Sequence, residues 1–451
     1  MRIGRTLPPA AAPIYIRDIV SGLKGLFRGH RELNRFEVEL KAYFDVKHCF
    51  LVSSGKAALT LILQALKDLY PNRDEVLIPA FTCYSVPSAI VRAGLKVKLC
   101  DIDPDTLDFD YTQLSKILSQ ALSRRDARPQ SSVKQQAARN QQPVTSNRLL
   151  AIIPAHLFGL PADIQRLREM VEDPQVVIIE DAAQTMGAEW KGKKLGTLGD
   201  IGFFSLGRGK ALSAVEGGII LTDHGGISDR IRHQIDEVQE YKILEIITLI
   251  IKGLALTVFQ HPTLFCLPKS LPFLKIGDTI YDPHFKIRKM SAFQAGLTNG
   301  WQQKVEKFKK IRRKNAKHWA SLLEEKPIRD YFFEKATVQK THRTPITQAT
   351  RLPDLLRFPV TIDDDGLRTR VLRKSDQMGL GVIFTYPDSI NRIPELKQNY
   401  AEQDFPVAKE LAVSLITLPA HPFVSEKDKA QISALVSEMA NQESSVKQEP
   451  K

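Results

Sequence analysis

Cysteine is scarce in this chain, and what there is does not pair. Cys49, Cys83, Cys100 and Cys266 are the four in 451 residues. None stands in a C-x-x-C spacing or near histidines at metal-ligand intervals, so neither a disulfide framework nor a metal site is expected. The opening stretch MRIGRTLPPAAAPIYIRDIV holds no continuous apolar core. A signal peptide is therefore not expected, and a cytoplasmic protein is. Aromatic residues make up 8% of the chain, and no basic run is interleaved with them as single-strand nucleic-acid binding requires. The formal charge of +13 is read as the solvated surface of an enzyme of anionic substrates, with no nucleic acid as partner.

Apolar material, by contrast, is ample. A hydrophobic share of 43% over 451 residues suits a globular protein of two domains. From about Phe36 to Ala295, helical stretches alternate with short apolar runs. Cys49–Val52, Glu75–Pro79, Lys96–Asp101, Leu149–Pro154 and Val176–Glu180 read as strands. Thr60–Asp68, Ser85–Ala93 and Ile164–Val171 read as helices. Strands that are apolar throughout and separated by helices indicate a mostly parallel sheet covered on both faces. Ligands of such sheets bind at the carboxyl ends of the strands. The expected architecture is α/β, with a large domain over residues 1–290 and a smaller C-terminal α/β domain over 291–440. A basic helix, Lys304–Leu323, leads into the latter, and residues 441–451 read as a flexible tail. Residues 119–147 are too polar to offset their ordering entropy and are expected to be a disordered insertion.

Four local sequences carry the chemistry. Ser53-Ser54-Gly55-Lys56-Ala57-Ala58-Leu59 is a small-residue turn before a helix, where free N–H groups attract a phosphate. Asp181 ends an apolar strand, and a buried carboxylate there is costly without a cation. It reads either as the counter-ion of a protonated ring nitrogen or as a cap on the next helix. In the run Gly199 to Lys210 a strand ends at Ser205, a glycine-bracketed turn follows, and Lys210 stands five residues after the serine. A nucleophilic lysine needs desolvation or cationic neighbours, and Arg208 is two residues away. Arg208 itself reads equally as a binder of a substrate carboxylate or phosphate and as the partner of a nearby acid. Finally, Val215-Glu216-Gly217-Gly218 lets the backbone reverse beside the lysine.

Together these strings resemble the DegT/StrS family of pyridoxal-phosphate (PLP) aminotransferases. The chain reads SGKAAL at Ser54, PAFT at Pro79, DIDPDTLD at Asp101, HLFGLPAD at His156, EDAAQ at Glu180, GTLGD at Gly196, FFSLGRGK at Phe203 and VEGG at Val215. Order and spacing follow the family. The resemblance implies a fold-type-I PLP transferase and a homodimer with shared active sites. It implies amino transfer, with glutamate as the expected donor, to a keto-sugar nucleotide or related keto compound in polysaccharide or secondary-metabolite synthesis. It makes Lys210 the catalytic Schiff-base lysine, Asp181 the pyridinium partner and Gln184 the group on the ring hydroxyl. Ser54, Ser205 and the backbone of Gly55 and Lys56 become the phosphate cup, and His156 with Arg208 the substrate-side candidates. The aromatic that stacks on the cofactor ring is replaced by Cys83, with Tyr84 one residue on as the other candidate. Ile287-Arg288-Lys289 stands where the family has its N-x-R string, so Arg288 or Lys289 is the expected contact to the partner's phosphate. A dehydratase of this family would lack the lysine. The remaining alternatives are a lipid-linked or non-sugar keto substrate and a regulatory protein without turnover.

Residues 243–273 fall outside these motifs. Ile243 to Phe259 is apolar at most positions, carries Glu245 and Lys252, and stops at His261-Pro262, short of the ~20 clean residues of a spanning helix. Three readings stand: a helical cover on its own domain or across a dimer, a helix lying in the inner membrane surface as a peripheral contact, or the wall of an entrance for an apolar acceptor.

Overall fold

The computed structural model describes residues 4–126, 148–271, 279–324, 353–362 and 364–446. Its centre is one seven-stranded sheet in the order β1-β9-β8-β5-β4-β2-β3. The strands are β1 (His48–Val52), β2 (Glu75–Pro79), β3 (Lys96–Cys100), β4 (Leu149–Ile152), β5 (Val177–Asp181), β8 (Ile201–Ser205) and β9 (Gly218–Thr222). A separate small hairpin pairs β6 (Glu189–Trp190) with β7 (Lys193–Lys194). β9 runs antiparallel to both β1 and β8, and the pairs from β8 to β3 are parallel. Period-two alternation divides the apolar side chains between two faces. Val76, Ile78, Ala151 and Ile179 join the core beneath α3 (Gly55–Leu69) and α4 (Ser85–Arg92), while Leu77, Ile152 and Ile178 pack on the other side.

Helices cover both faces, as the wholly apolar strands require. α1 (Ile16–Arg28), α2 (His30–Phe44), α5 (Tyr111–Asp126), α6 (Ile164–Met170) and α7 (Gly225–Glu237) complete the set before the apolar insertion. That insertion forms α8 (Ile243–Phe259) and the short α9 (Cys266–Lys269). α10 (Ala292–Leu297) and α11 (Trp301–Glu324) lead to a second, two-stranded antiparallel sheet of β10 (Arg357–Thr361) and β11 (Leu415–Pro419). Helices Asp365–Met378, Pro406–Ser414 and Glu426–Val446 accompany it. The apolar core runs without a break from α3 and β2 into this C-terminal layer. The N-terminal segment is tied there too: Arg5 pairs with Asp428 at 2.6 Å, and the Leu7 amide donates to the Gly379 carbonyl.

Two expectations change. Residues 119–126, assigned to a disordered insertion, are the last turns of α5, whose Leu114, Leu118 and Ala121 are buried; residues 127–147 lie outside the described residues. Residues 441–446, assigned to a tail, continue the helix Glu426–Val446. The 243–273 segment does cover its own chain on one side, with Leu249 and Gly253 buried; its residues 272 and 273 lie outside the described residues. The approach is close at Gly253, where a β-carbon would lie 3.0 Å from Ile19 Cδ1.

Candidate active site

Because parallel strands end on a common edge, β5 and β8 deliver their last residues to the place where α3 begins. The resulting cavity is lined by Ser54, Gly55, Lys56, Asp181, Ser205 and Lys210 among others. Ser54 caps α3, its hydroxyl accepting from the Ala57 amide at 3.1 Å. Gly55 lies against β8 so closely that a β-carbon would sit 2.9 Å from Ser205 Cβ. Only glycine lets the first turn of the helix reach the serine hydroxyl, and the free amides there with that hydroxyl form a cradle for an oxyanion. Lys56 Nζ stands 3.8 Å from Asp282 and 4.4 Å from the Phe285 ring centre.

Asp181 supplies the decisive electrostatic feature. Its side chain accepts from the Ala183 amide at 3.0 Å, so the capping reading survives as a local bond, although a turn and not a helix follows. Among the described residues it has no ion-pair partner. Burial pushes its carboxyl above the ordinary value, against the pull of the Ala183 amide and the charges of Lys210 and His156. A buried carboxylate in this state calls for a cation that pairs with it, and none does among the described residues. A protonated pyridine nitrogen fits that need, and the cradle at α3 fits the phosphate of the same molecule. Lys210, half-buried on the loop between β8 and β9, lines the same cavity. Gln184 Oε1 accepts from the Phe158 amide at 3.3 Å, and its Nε2 donates to the Tyr386 hydroxyl at 3.2 Å.

Other candidates are placed differently. Tyr84 turns away from the cavity and donates to the Asp388 carbonyl at 3.0 Å, its hydroxyl pushed up to about 12 by burial. Cys83 alone of that pair lines the cavity. His156 reaches the lining, but Nε2 meets Glu180 at 2.7 Å and Nδ1 accepts from the Ala162 amide at 2.9 Å. It therefore presents carbon to the cavity, and the expected polar substrate contact lapses. Arg208 is exposed and outside the lining. Arg288 is held by Glu245 at 3.2 Å, while Lys289 reaches the Asp236 carbonyl. Tyr386 is not legible in the sequence, since it arrives from the C-terminal layer about 200 residues beyond Gln184. Thr82, the last residue of the PAFT string, lines the cavity with a buried hydroxyl that has no hydrogen-bond partner among the described residues.

An open α/β sheet with this lysine, this unbalanced carboxylate and this anion cradle at its strand ends defines a PLP-dependent transferase of fold type I. Residues 21–437 match the DegT/DnrJ/EryC1/StrS aminotransferase family, and the chain belongs to that family. It is 27% identical over 333 residues to an L-glutamine:2-deoxy-scyllo-inosose aminotransferase of Streptomyces kanamyceticus, covering 74% of this chain but 65% of that protein. With the enzyme of the same name from Streptomyces lividus it shares 26% identity over 431 residues, covering 91% and 87%. A GDP-perosamine synthase of Vibrio cholerae is 28% identical over 216 residues, or 48% and 51% of the two chains. Among solved structures, DesI in the presence of its TDP-sugar product superposes with a TM-score of 0.70 at 19% identity, covering 99% and 95%. The E. coli GDP-4-keto-6-deoxy-D-mannose-3-dehydratase with bound hydrated PLP gives 0.67 at 18%, covering 96% and 100%. These likenesses show the fold.

Proposed function

We propose that the chain is a PLP-dependent aminotransferase that moves an amino group from an amino acid, glutamate as the expected donor, to a keto-sugar nucleotide. The observation that carries this reading is the buried, unbalanced Asp181 in one cavity with Lys210 and the α3 cradle. Bound there, the cofactor supplies an electron sink for breaking a bond at the carbon that bears the amino group. The chain's own residues do the rest. Asp181 keeps the ring nitrogen protonated, Gln184 meets the ring hydroxyl, and Ser54, Ser205 and the Gly55 and Lys56 amides hold the phosphate. Lys210 Nζ would hold the cofactor and, once the donor's amino group has displaced it, would take and return the proton at the carbon that bears that group. The retained lysine favours amino transfer over dehydration. Relatives named for keto-inosose and perosamine chemistry support a sugar acceptor, and a role in cell-surface polysaccharide or secondary-metabolite synthesis follows from it.

A homodimer with shared sites, a domain boundary near residue 290 and a cytoplasmic location belong to the same proposal. So does contact of α1 and α8 with an anionic membrane surface; no described helix is long and apolar enough to cross one. The central test is spectroscopic. Purified protein should show a near-visible band of bound cofactor that glutamate bleaches, and Lys210→Ala should lack the band and the half-reaction. A band of unchanged position in that variant refutes the assignment of Lys210.

A further inference from the structure

The cradle at the start of α3 is built from hydroxyls and amides, and the charge it must balance is larger than these supply. A phosphate monoester carries roughly two negative charges at neutral pH, whereas the amino end of a helix offers only about half a positive charge. Among the residues that line the cavity, the Lys, Arg, Asp and Glu side chains are Lys56, Asp181 and Lys210. In the reading above, Asp181 answers the ring nitrogen and Lys210 holds the cofactor. Lys56 is the cation left for the phosphate.

Lys56 is the second residue of α3, with a side chain 27% exposed. Its ammonium lies 3.8 Å from Asp282 Oδ2 and 4.4 Å from the centre of the Phe285 ring, which Arg92 also faces at 5.5 Å. The loop that bears Asp282 and Phe285 is docked on α4. The Asp282 amide donates to the Ser88 hydroxyl at 3.0 Å, and Arg92 donates to the Pro283 carbonyl at 3.4 Å. Asp282 is itself 46% exposed, and a loose, solvated pair of this kind gives way at little cost. The segment expected to reach a partner's phosphate, Ile287-Arg288-Lys289, is engaged within its own chain. The Ser53 amide donates to the Arg288 carbonyl at 2.9 Å, and the Arg288 amide to the Ser53 hydroxyl at 3.0 Å. The Arg288 side chain is held by Glu245, Lys289 reaches the Asp236 carbonyl, and Ile287 packs against the apolar core. We propose that the Lys56 ammonium is the counter-charge of the cofactor's phosphate, so that each chain anchors that phosphate itself and not through a second copy. The proposal rests on the aminotransferase reading above.

The test titrates cofactor-free wild type, Lys56→Gln, Lys56→Arg and Lys289→Gln with pyridoxal phosphate and, separately, with pyridoxal, which has no phosphate. Binding is read from absorbance and protein fluorescence. Loss of a charged hydrogen-bonding partner should raise the Kd for pyridoxal phosphate roughly 10- to 100-fold in Lys56→Gln, with partial recovery in Lys56→Arg. Pyridoxal should bind all four proteins alike, and Lys289→Gln should match wild type with both ligands. Unchanged affinity for pyridoxal phosphate in Lys56→Gln overturns the proposal. So does an equal weakening of both ligands, which makes Lys56 a support of the cavity wall, and so does a loss in Lys289→Gln as large as that in Lys56→Gln. The other phosphate able to enter is the acceptor's. Calorimetry with thymidine and guanosine diphosphates on cofactor-loaded protein tests that source. If Lys56→Gln loses their binding while holding pyridoxal phosphate as tightly as wild type, Lys56 belongs to the acceptor and the proposal fails. The near-visible band separates the two levels. Its absence from wild type refutes the cofactor reading itself; its presence in wild type and Lys56→Gln makes the difference in affinity a measure of Lys56 alone.

Discussion

Glu180 and Asp181 are adjacent buried carboxylates with opposite fates. Glu180 accepts from His156 at 2.7 Å and from the amides of Gly196, Leu198 and Gly199. Burial alone would raise its pKa, but those donors hold it below the ordinary value. Three of the motifs in the sequence therefore meet in a structural knot, which is why His156 resembles a substrate residue and is not placed as one. Asp181 has a single amide and a raised pKa. The sign of its effect follows: a carboxyl whose folded pKa lies above 3.8 costs the cofactor-free protein stability as pH rises through that interval, and the cost is complete above it. Cofactor-free Asp181→Asn should accordingly melt above cofactor-free wild type at neutral pH, with the difference closing as pH falls toward 4. Added cofactor should stabilise wild type much more than the variant. A melting difference that does not vary with pH would show that Asp181 is not an unbalanced charge. Lys210, Asp181 and Ser205 are legible in the sequence because each lies in a short local string. Tyr386 is not, because only tertiary packing brings it to Gln184.

At the scale of elements, the five strands read between Cys49 and Glu180 are legible to within one or two residues, since each is a short apolar block bounded by turn residues, whereas β9, β10 and β11 are not read from the sequence. Helix starts are harder to read. α3 begins at Gly55 and not Thr60, because a Ser54 cap rather than apolar periodicity sets its start. The polar end of α5 shows the same limit, its helical turns held by one buried stripe. No local pattern marks the N-terminal segment, which owes its place to distant partners. One of these is His421, which is 1% exposed, donates from Nε2 to the Pro8 carbonyl at 2.7 Å and accepts from the Phe423 amide. Burial pushes its pKa down to about 4 from 6.5. With a depressed folded pKa, the stabilisation is present above pH 6.5 and is lost as pH falls toward 4. The loss should be roughly 2–4 kcal/mol by urea denaturation. His421→Gln should be less stable at pH 7 yet flatter over this interval, and an equal slope in both proteins would remove His421 as its cause.

For the whole molecule, the question is what covers the outer side of α1 and α8. Ile16, Val20, Leu23 and Phe27 on α1 and Ile247, Ile251, Leu254 and Val258 on α8 are exposed at the same helical spacing, with Phe27 at 93%. The two helices pack together where Ile19 meets Gly253, so the stripes are neighbours. Each helix has one acid, and both turn away from this face: Asp18 pairs with buried Lys304, and Glu245 with Lys286 and Arg288. The cations Arg17, Lys24, Lys242 and Lys252 are exposed, Arg17 reaching Asp18 at 3.8 Å and Lys252 reaching Glu216 at 3.6 Å. An apolar stripe framed by positive charge complements an anionic lipid surface, whereas two copies of it would bring like charges together. The protein should therefore float with vesicles rich in phosphatidylglycerol, less so at high salt, and not with phosphatidylcholine vesicles. The double change Ile247→Asp with Ile251→Asp should abolish flotation and leave the cofactor band intact. Should wild type stay unbound while the double variant falls from dimer to monomer in light scattering, the face belongs to a second copy of the chain and the membrane reading fails.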